Sequence, residues 1–204
     1  MNAPRMEFNG VWPTFLVRRH LPGYAQPTDA LAKYIAQQEA READRTARFR
    51  EQNFFSSDNP AVLWLKEQID QTAAGFLRHV GVHFPVFWTY TGWYNVNRYG
   101  DHHGPHNHPR CTMSGTYYVR VPSDQEHVID PLARPACISF YDPRSGANMI
   151  TAGTGSDARS AYVVSPAAGT LLLWPSPMEH SVHPNLSKEQ RISISFNLQM
   201  HPSE

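Results

Sequence analysis

An α+β fold, in which a helical N-terminal third precedes an antiparallel sandwich or jelly roll, follows from two features of this 204-residue chain. Apolar residues recur at helical spacing up to about residue 83, and from Phe84 onward the period changes to two. Seventeen prolines and twelve glycines then cut the second half into seven or so short strands, which argues against a helix bundle.

The elements can be taken in order. Phe8 to Val17 reads as a short edge strand interrupted by Pro13, a position where a missing N–H is tolerated. Thr28 is a candidate N-cap for a helix whose Leu31, Tyr34 and Ile35 share one face. Ala40 to Gln52, rich in Arg and Glu, reads as a solvated helix end or a linker. Asn59-Pro60 is a cap and first-turn pair. It opens a second helix carrying Val62, Leu65, Ile69, Ala73, Phe76, Leu77 and Val80 at helical period.

Strands are expected from Phe84 through Tyr90, a break at Thr91-Gly92, and a further strand with Trp93, Asn95 and Asn97 on one face. Others are expected over 112–121, 136–142, 160–164, 170–174 and 192–200. The connection from Pro143 to Ser160, with Gly146, Gly153 and Gly155, reads as a flexible loop near a site mouth.

With 41% hydrophobic residues the chain can bury one good core, so a single domain over 1–204 is expected, helical over about 1–83 and jelly roll over about 84–200. Eighteen acidic and eighteen basic side chains leave no net field for nucleic acid or an anionic membrane. A small molecule or a protein fits better as substrate. No apolar run approaches the roughly 20 residues of a membrane span. Two cysteines and the lack of a secretory signal pattern make a cytoplasmic protein the expectation. The N-terminal helices can cover their own chain's sheet or meet that of a partner in a homodimer.

The chemistry concentrates in Gly100 to Val119, where four of eleven histidines fall within seven positions just ahead of an aromatic strand. Alternate residues of a strand face one side, so His106 and His108 can offer two imidazoles to one ion, and imidazole is a ligand for Fe, Zn, Cu and Ni alike. The competing reading is a solvated His-rich loop. His180, just beyond the apolar stretch Thr170 to Trp174, is the natural third ligand. Eleven residues further on, Arg191 opens a strand that places Arg191, Ser193, Ser195 and Asn197 on one polar face. An arginine near the mouth of a barrel calls for an anion, and a bidentate carboxylate meets that need. An edge strand with a solvated polar face is the alternative.

These motifs, taken together and in order, resemble a family. His106-Asn107-His108-Pro109 through Ser114-Gly115-Thr116-Tyr117-Tyr118-Val119, Asp142-Pro143-Arg144, Trp174-Pro175-Ser176 before His180, and Arg191 to Asn197 are similar to a bacterial and phage branch of the 2-oxoglutarate- and Fe(II)-dependent oxygenases. The resemblance covers roughly Phe84 to Met200. It implies a double-stranded β-helix with the N-terminal helices on one sheet. It also implies Fe(II) held by His106, His108 and His180, and 2-oxoglutarate whose far carboxylate meets Arg191, with Ser193 and Tyr118 as donors. The implied reaction is hydroxylation of an unidentified substrate with decarboxylation of 2-oxoglutarate to succinate.

Most of the wider superfamily has a carboxylate where this chain has His108. Asp101, Asp142 and Glu179 are the carboxylates that stand near the motifs, Asp142 being the best placed; His102, His103 and His183 are spare histidines. Trp93, Tyr94, Tyr99 and Tyr117 are candidates for lining a substrate pocket, and Asp142 with Arg144 can bind a polar substrate or pair with each other. A cupin-like metal protein without 2-oxoglutarate is one alternative, although Pro109 to Ser114 lacks the expected glutamate and Arg191 has no role there. A non-catalytic zinc module is another, although no CxxC spacing is present.

Overall fold

The computed structural model describes residues 13–41, 53–122, 135–144 and 161–203. Strand β1 (Val17–His20) leads into helix α1 (Ala25–Arg41), a short 3-10 turn (Phe54–Ser56) and helix α2 (Pro60–His79). Eight strands follow: β2 (Val86–Asn97), β3 (His103–His106), β4 (Met113–Arg120), β5 (Ile138–Tyr141), β6 (Ala161–Val164), β7 (Thr170–Pro175), β8 (His180–Val182) and β9 (Arg191–Pro202). They form two antiparallel sheets, one ordered β1-β7-β4-β9-β2 and the other β3-β8-β5-β6. This is the jelly roll expected.

Period-two alternation in the larger sheet separates two environments. Ile192, Ile194, Phe196 and Leu198 of β9, Met113, Tyr117 and Val119 of β4, and Leu171 and Leu173 of β7 pack with Leu31, Ile35, Leu65 and Ile69 of the helices. The helices therefore lie on this sheet of their own chain. Residues of the opposite parity, including Tyr118, Leu172 and Trp174, pack with Ile138 and Phe140 from the smaller sheet. Burying both faces of β4 and β7 leaves their seam with almost no solvent contact.

Helix α2 begins as its sequence dictates: the Asn59 side chain accepts from the Ala61 N–H at 2.9 Å, and Pro60 fills a position whose N–H would be unpaired anyway. Val80 is its C-terminal cap and is exposed. Thr28, expected as a cap, sits inside α1 instead. The helix starts at Ala25, and the Thr28 hydroxyl is buried against the Tyr117 hydroxyl, so tertiary hydrogen bonding overrides the capping preference.

The first strand is displaced from the expected 8–17 to Val17–His20, where it pairs with β7; residues 8–12 lie outside the described region. Most of the charged segment 40–52 and most of the loop 143–160 lie outside it too. The expected break at Thr91-Gly92 is absent, because β2 pairs with β9 without interruption from Val86 to Asn97. Gly92 serves packing there: a Cβ would fall 2.3 Å from the Phe55 ring. Among the described residues no helix is long and apolar enough to cross a membrane.

Candidate metal and cosubstrate site

Three imidazoles converge between the sheets. His106 ends β3 directly opposite His180, the first residue of β8, and their ring centroids are 4.3 Å apart. His108 lies two residues beyond the end of β3, so its ring arrives by a turn and not by strand alternation as expected. Its backbone N–H donates to the Ser176 carbonyl at 3.2 Å, and its ring lies 5.2 and 5.3 Å from those of His106 and His180. One ring nitrogen from each of the three lies within 4.8 Å of the others, a grouping able to hold a metal ion.

Tautomer and charge suit that role. His106 Nδ1 donates to the Gly104 carbonyl at 2.7 Å and His180 Nδ1 to the Met178 carbonyl at 3.1 Å, leaving each Nε2 with its lone pair. Burial is the main cause that lowers the His108 and His180 pKa values to about 4, with neighbouring imidazoles adding to it. Both rings are therefore neutral near pH 7.

Ser176 is anchored in turn. Its hydroxyl bonds that of Ser114 at 2.8 Å, and Ser114 donates to Asn197 Oδ1 at 2.7 Å. This buried strut ties the His108 turn to β4 and β9. Sequence reasoning placed Asn197 on the polar face of β9 but gave Ser114 and Ser176 no part in the site. Each is an ordinary small hydroxyl residue until the strands are brought together.

A cavity adjoins the imidazoles, lined among others by Trp93, Asn97, His103, Tyr118, Trp174, Arg191 and Ser193. Arg191 is 1% exposed. Strand β9 lies between β4 and β2, so the edge-strand alternative for its polar face does not hold. The guanidinium's Nη1 donates to the His183 carbonyl at 3.2 Å, while its Nε has no partner among the described residues. No carboxylate among the described residues forms an ion pair with it. Tyr118 stands opposite Ser193 across the β4–β9 pair. Burial raises the Tyr118 phenol well above its ordinary pKa although Arg191 pulls the other way, so it is a neutral hydrogen-bonding hydroxyl.

The remaining expected positions divide. Trp93 lines the cavity with its ring 5.8 Å from that of His108. Tyr99 is exposed beyond the end of β2 and is absent from the lining. Tyr94 and Tyr117 face the helices, since strand parity turns them to the other side of the sheet. Asp142 and Arg144 pair with each other in a bidentate contact after β5, and Arg144 holds the Asp142 carboxyl down to about 2. No carboxylate among the described residues joins the imidazole group: Asp101 accepts from the Arg98 N–H, and Glu179 is exposed. His103, expected as a spare and as the histidine most able to displace His106, lines the cavity with its ring 6.3 Å from His106 and is not in the metal group. His102 is exposed, while the His183 ring is held by the Ser139 hydroxyl at 2.7 Å.

The chain is similar in structure to several solved proteins. A prolyl-4-hydroxylase from Pseudomonas putida has 14% identity and a TM-score of 0.55, covering 91% of this chain and 88% of that one. A prolyl hydroxylase from Trichoplax adhaerens, solved with a hypoxia inducible factor oxygen degradation domain peptide fragment, has 13% identity and a TM-score of 0.59, covering 90% and 83%. The epimerase SnoN, solved with Fe3+, alpha ketoglutarate and nogalamycin RO, has 14% identity and a TM-score of 0.55, covering 94% and 82%. At such identities the likeness speaks to the fold, the double-stranded β-helix. No curated protein matches the sequence. A family model described as "Putative 2OG-Fe(II) oxygenase" matches residues 91–197, and this decides against the cupin-like and zinc-module alternatives. Because that match spans more than half of the chain and encloses the imidazoles, the cavity and Arg191, we conclude that the chain belongs to the 2OG-Fe(II) oxygenases, enzymes that use Fe(II) and 2-oxoglutarate.

Proposed function

We propose that His106, His108 and His180 hold Fe(II), that Arg191, Ser193 and Tyr118 hold the far carboxylate of 2-oxoglutarate, and that the enzyme hydroxylates a substrate entering beside Trp93. The observation carrying this reading is Arg191, a buried guanidinium whose Nε has no partner among the described residues, in the same cavity as three converging imidazoles. A buried cation is costly unless an anion meets it. A short diacid supplies one carboxylate for the guanidinium and a second group for the ion. The donor set fits Fe(II), for which imidazole is a suitable ligand, and three protein ligands leave coordination positions open.

Together, bound Fe(II) and 2-oxoglutarate supply oxidative chemistry, in which dioxygen is consumed, carbon dioxide and succinate form, and a substrate C–H bond becomes C–OH. The chain's own residues perform binding, orientation and exclusion of water. The Gly104 and Met178 carbonyls fix two imidazole tautomers, and the Ser114–Ser176–Asn197 strut fixes the turn that carries the third ring. The His183 carbonyl holds one edge of Arg191 and leaves its Nε free for a ligand. Trp174 and Phe140 pack against the His180 ring, keeping water from it. No side chain is required as an acid or base.

The test is anaerobic addition of Fe(II) and then 2-oxoglutarate. A weak visible charge-transfer band is expected, lost in Arg191→Ala, which keeps its metal affinity. Absence of the band together with absence of 2-oxoglutarate-dependent stabilisation in a melt would refute the reading.

A further inference from the structure

Three buried side-chain atoms have no hydrogen-bond partner among the described residues: Asn97 Oδ1, Trp174 Nε1 and Arg191 Nε. All three belong to side chains that line the same cavity. Such orphans are rare in folded proteins, so three around one space point to a polar ligand that completes them.

Their positions sort them into two ends. Asn97 stands directly opposite Arg191 across the β2–β9 pair, where facing side chains have Cβ atoms about 5 Å apart. With Nη1 of Arg191 committed to the His183 carbonyl and Nε unclaimed, the Asn97 side chain shares that end of the cavity. Trp174 belongs to the other end. The sheet register runs from Trp174 to Ser114 and on to Asn197, six residues along β9 from Arg191, and the indole meets the His180 ring edge-on at 4.8 Å. One orphan donor thus lies beside the imidazoles, and an orphan pair lies beside the cation.

We propose that Trp174 and Asn97 are two further contacts of 2-oxoglutarate: the indole N–H donates to its keto-acid end, and the Asn97 amide holds its far carboxylate alongside Arg191. This rests on the reading of the cavity given above. An indole N–H is a donor only and calls for an acceptor, while the Asn97 amide presents nitrogen or oxygen by a half-turn. Trp174 is 2% exposed and Asn97 5%, so no bulk water competes for either. The metal group is made of His106, His108 and His180, so the effect of Trp174 and Asn97 falls on the diacid and not on the ion.

The experiment titrates the Fe(II)-loaded full chain, without oxygen, against 2-oxoglutarate and against 2-oxobutyrate, which shares the keto-acid end but lacks the far carboxylate. Binding is read by calorimetry. Trp174→Phe keeps the ring and removes the N–H; it should weaken both ligands by the same factor, about tenfold or more. Asn97→Leu should weaken 2-oxoglutarate about tenfold and leave 2-oxobutyrate unchanged, and Asn97→Ser repeats the measurement with a smaller side chain. Fe(II) affinity measured alone should be unaltered in all three, which reports that they fold. The proposal is overturned if Trp174→Phe binds both ligands as wild type does, if it loses only 2-oxoglutarate, or if the Asn97 variants weaken both ligands alike. If the wild type itself does not prefer 2-oxoglutarate to 2-oxobutyrate, the Arg191 reading fails first and the proposal falls with it.

Discussion

Replacing Arg191 with methionine should change stability and ligand response in opposite directions. The guanidinium is 1% exposed, its Nε lacks a partner among the described residues, and the hydrogen bond from its Nη1 to the His183 carbonyl is long at 3.2 Å. Desolvation depresses its pKa, the mark of a charge held at a cost. The effective penalty for a buried ion is several kcal/mol, and a hydrogen bond to a charged group returns about 1.5–3 kcal/mol. Methionine preserves an unbranched stem and removes the charge, so Arg191→Met should raise the stability of the free protein by about 1–2 kcal/mol. For a chain of this size that corresponds to a melting temperature higher by about 2–8 °C.

The ligand response should be lost. Two charge-assisted hydrogen bonds are worth about 3–6 kcal/mol, so 2-oxoglutarate affinity should fall by roughly 10²–10⁴. At a concentration one hundred times the wild-type Kd, the diacid stabilises wild type by about 2.7 kcal/mol and the variant hardly at all. Anaerobic calorimetric melts with Fe(II), with and without 2-oxoglutarate, measure both effects. A variant that melts below wild type when free, yet keeps the 2-oxoglutarate shift, would refute the idea that Arg191 is kept for a ligand.

Fe(II) titration should rank the histidines: His108→Ala should lose about a hundredfold or more in affinity and His103→Ala no more than about tenfold, and the reverse order would move the metal pair upstream. Gly115→Ala should destabilise by about 3 kcal/mol in urea unfolding, because its Cβ would fall 2.2 Å from the Phe196 ring and 2.6 Å from the Leu172 carbonyl. Gly75→Ala, on helix α2 with only the end of Arg78 at 3.9 Å, should instead stabilise by about 0.5–1 kcal/mol. The metal-free protein should weaken on acidification. His180 is held near 4 when folded and returns to about 6.5 when unfolded, so the unfolded state takes up the proton first and stability falls from about pH 6.5 down to about pH 4. Its loss is bounded at about 3 kcal/mol and should be reduced in His180→Gln; urea midpoints that stay flat over this interval would contradict the buried neutral imidazole.

Legibility in the sequence followed how local each cause was. Helix α2 is readable because its cap, its proline and its apolar stripe all lie within its own residues. Strand β9 is readable because both faces are used, one apolar against the helices and one polar toward the cavity. Strand β3 was expected only as an alternation carrying His106 and His108, whereas it ends at His106, and strand β8 was not anticipated. They are four and three residues long, carry Gly104, Pro105 and three histidines, and exist because each pairs with the other across more than seventy residues. That same pairing sets His106 opposite His180, so the ligand types were visible while their geometry was not. Thr28, Gly92 and Ser114 share this reason, since each acts on a residue remote in sequence: Tyr117, Phe55 and Ser176.

On the proposed assignment, that no carboxylate among the described residues joins the metal group has an electrostatic consequence. Imidazoles bound to an ion are neutral ligands and leave it its whole charge, and Arg191 adds another in the same cavity. The chain as a whole is neutral, but this cavity is not, and a further proton on His103 is resisted by burial and by Arg191 itself. The negative charge that an aspartate would supply permanently must therefore come from the ligand. A diacid meets both positive centres at once, so ion and diacid should each tighten the other's binding by the same factor. Placing a carboxylate at position 108 would weaken that coupling, because the ion would arrive already partly neutralised. Read this way, histidine at 108 makes the metal centre and the Arg191 end parts of one anion trap.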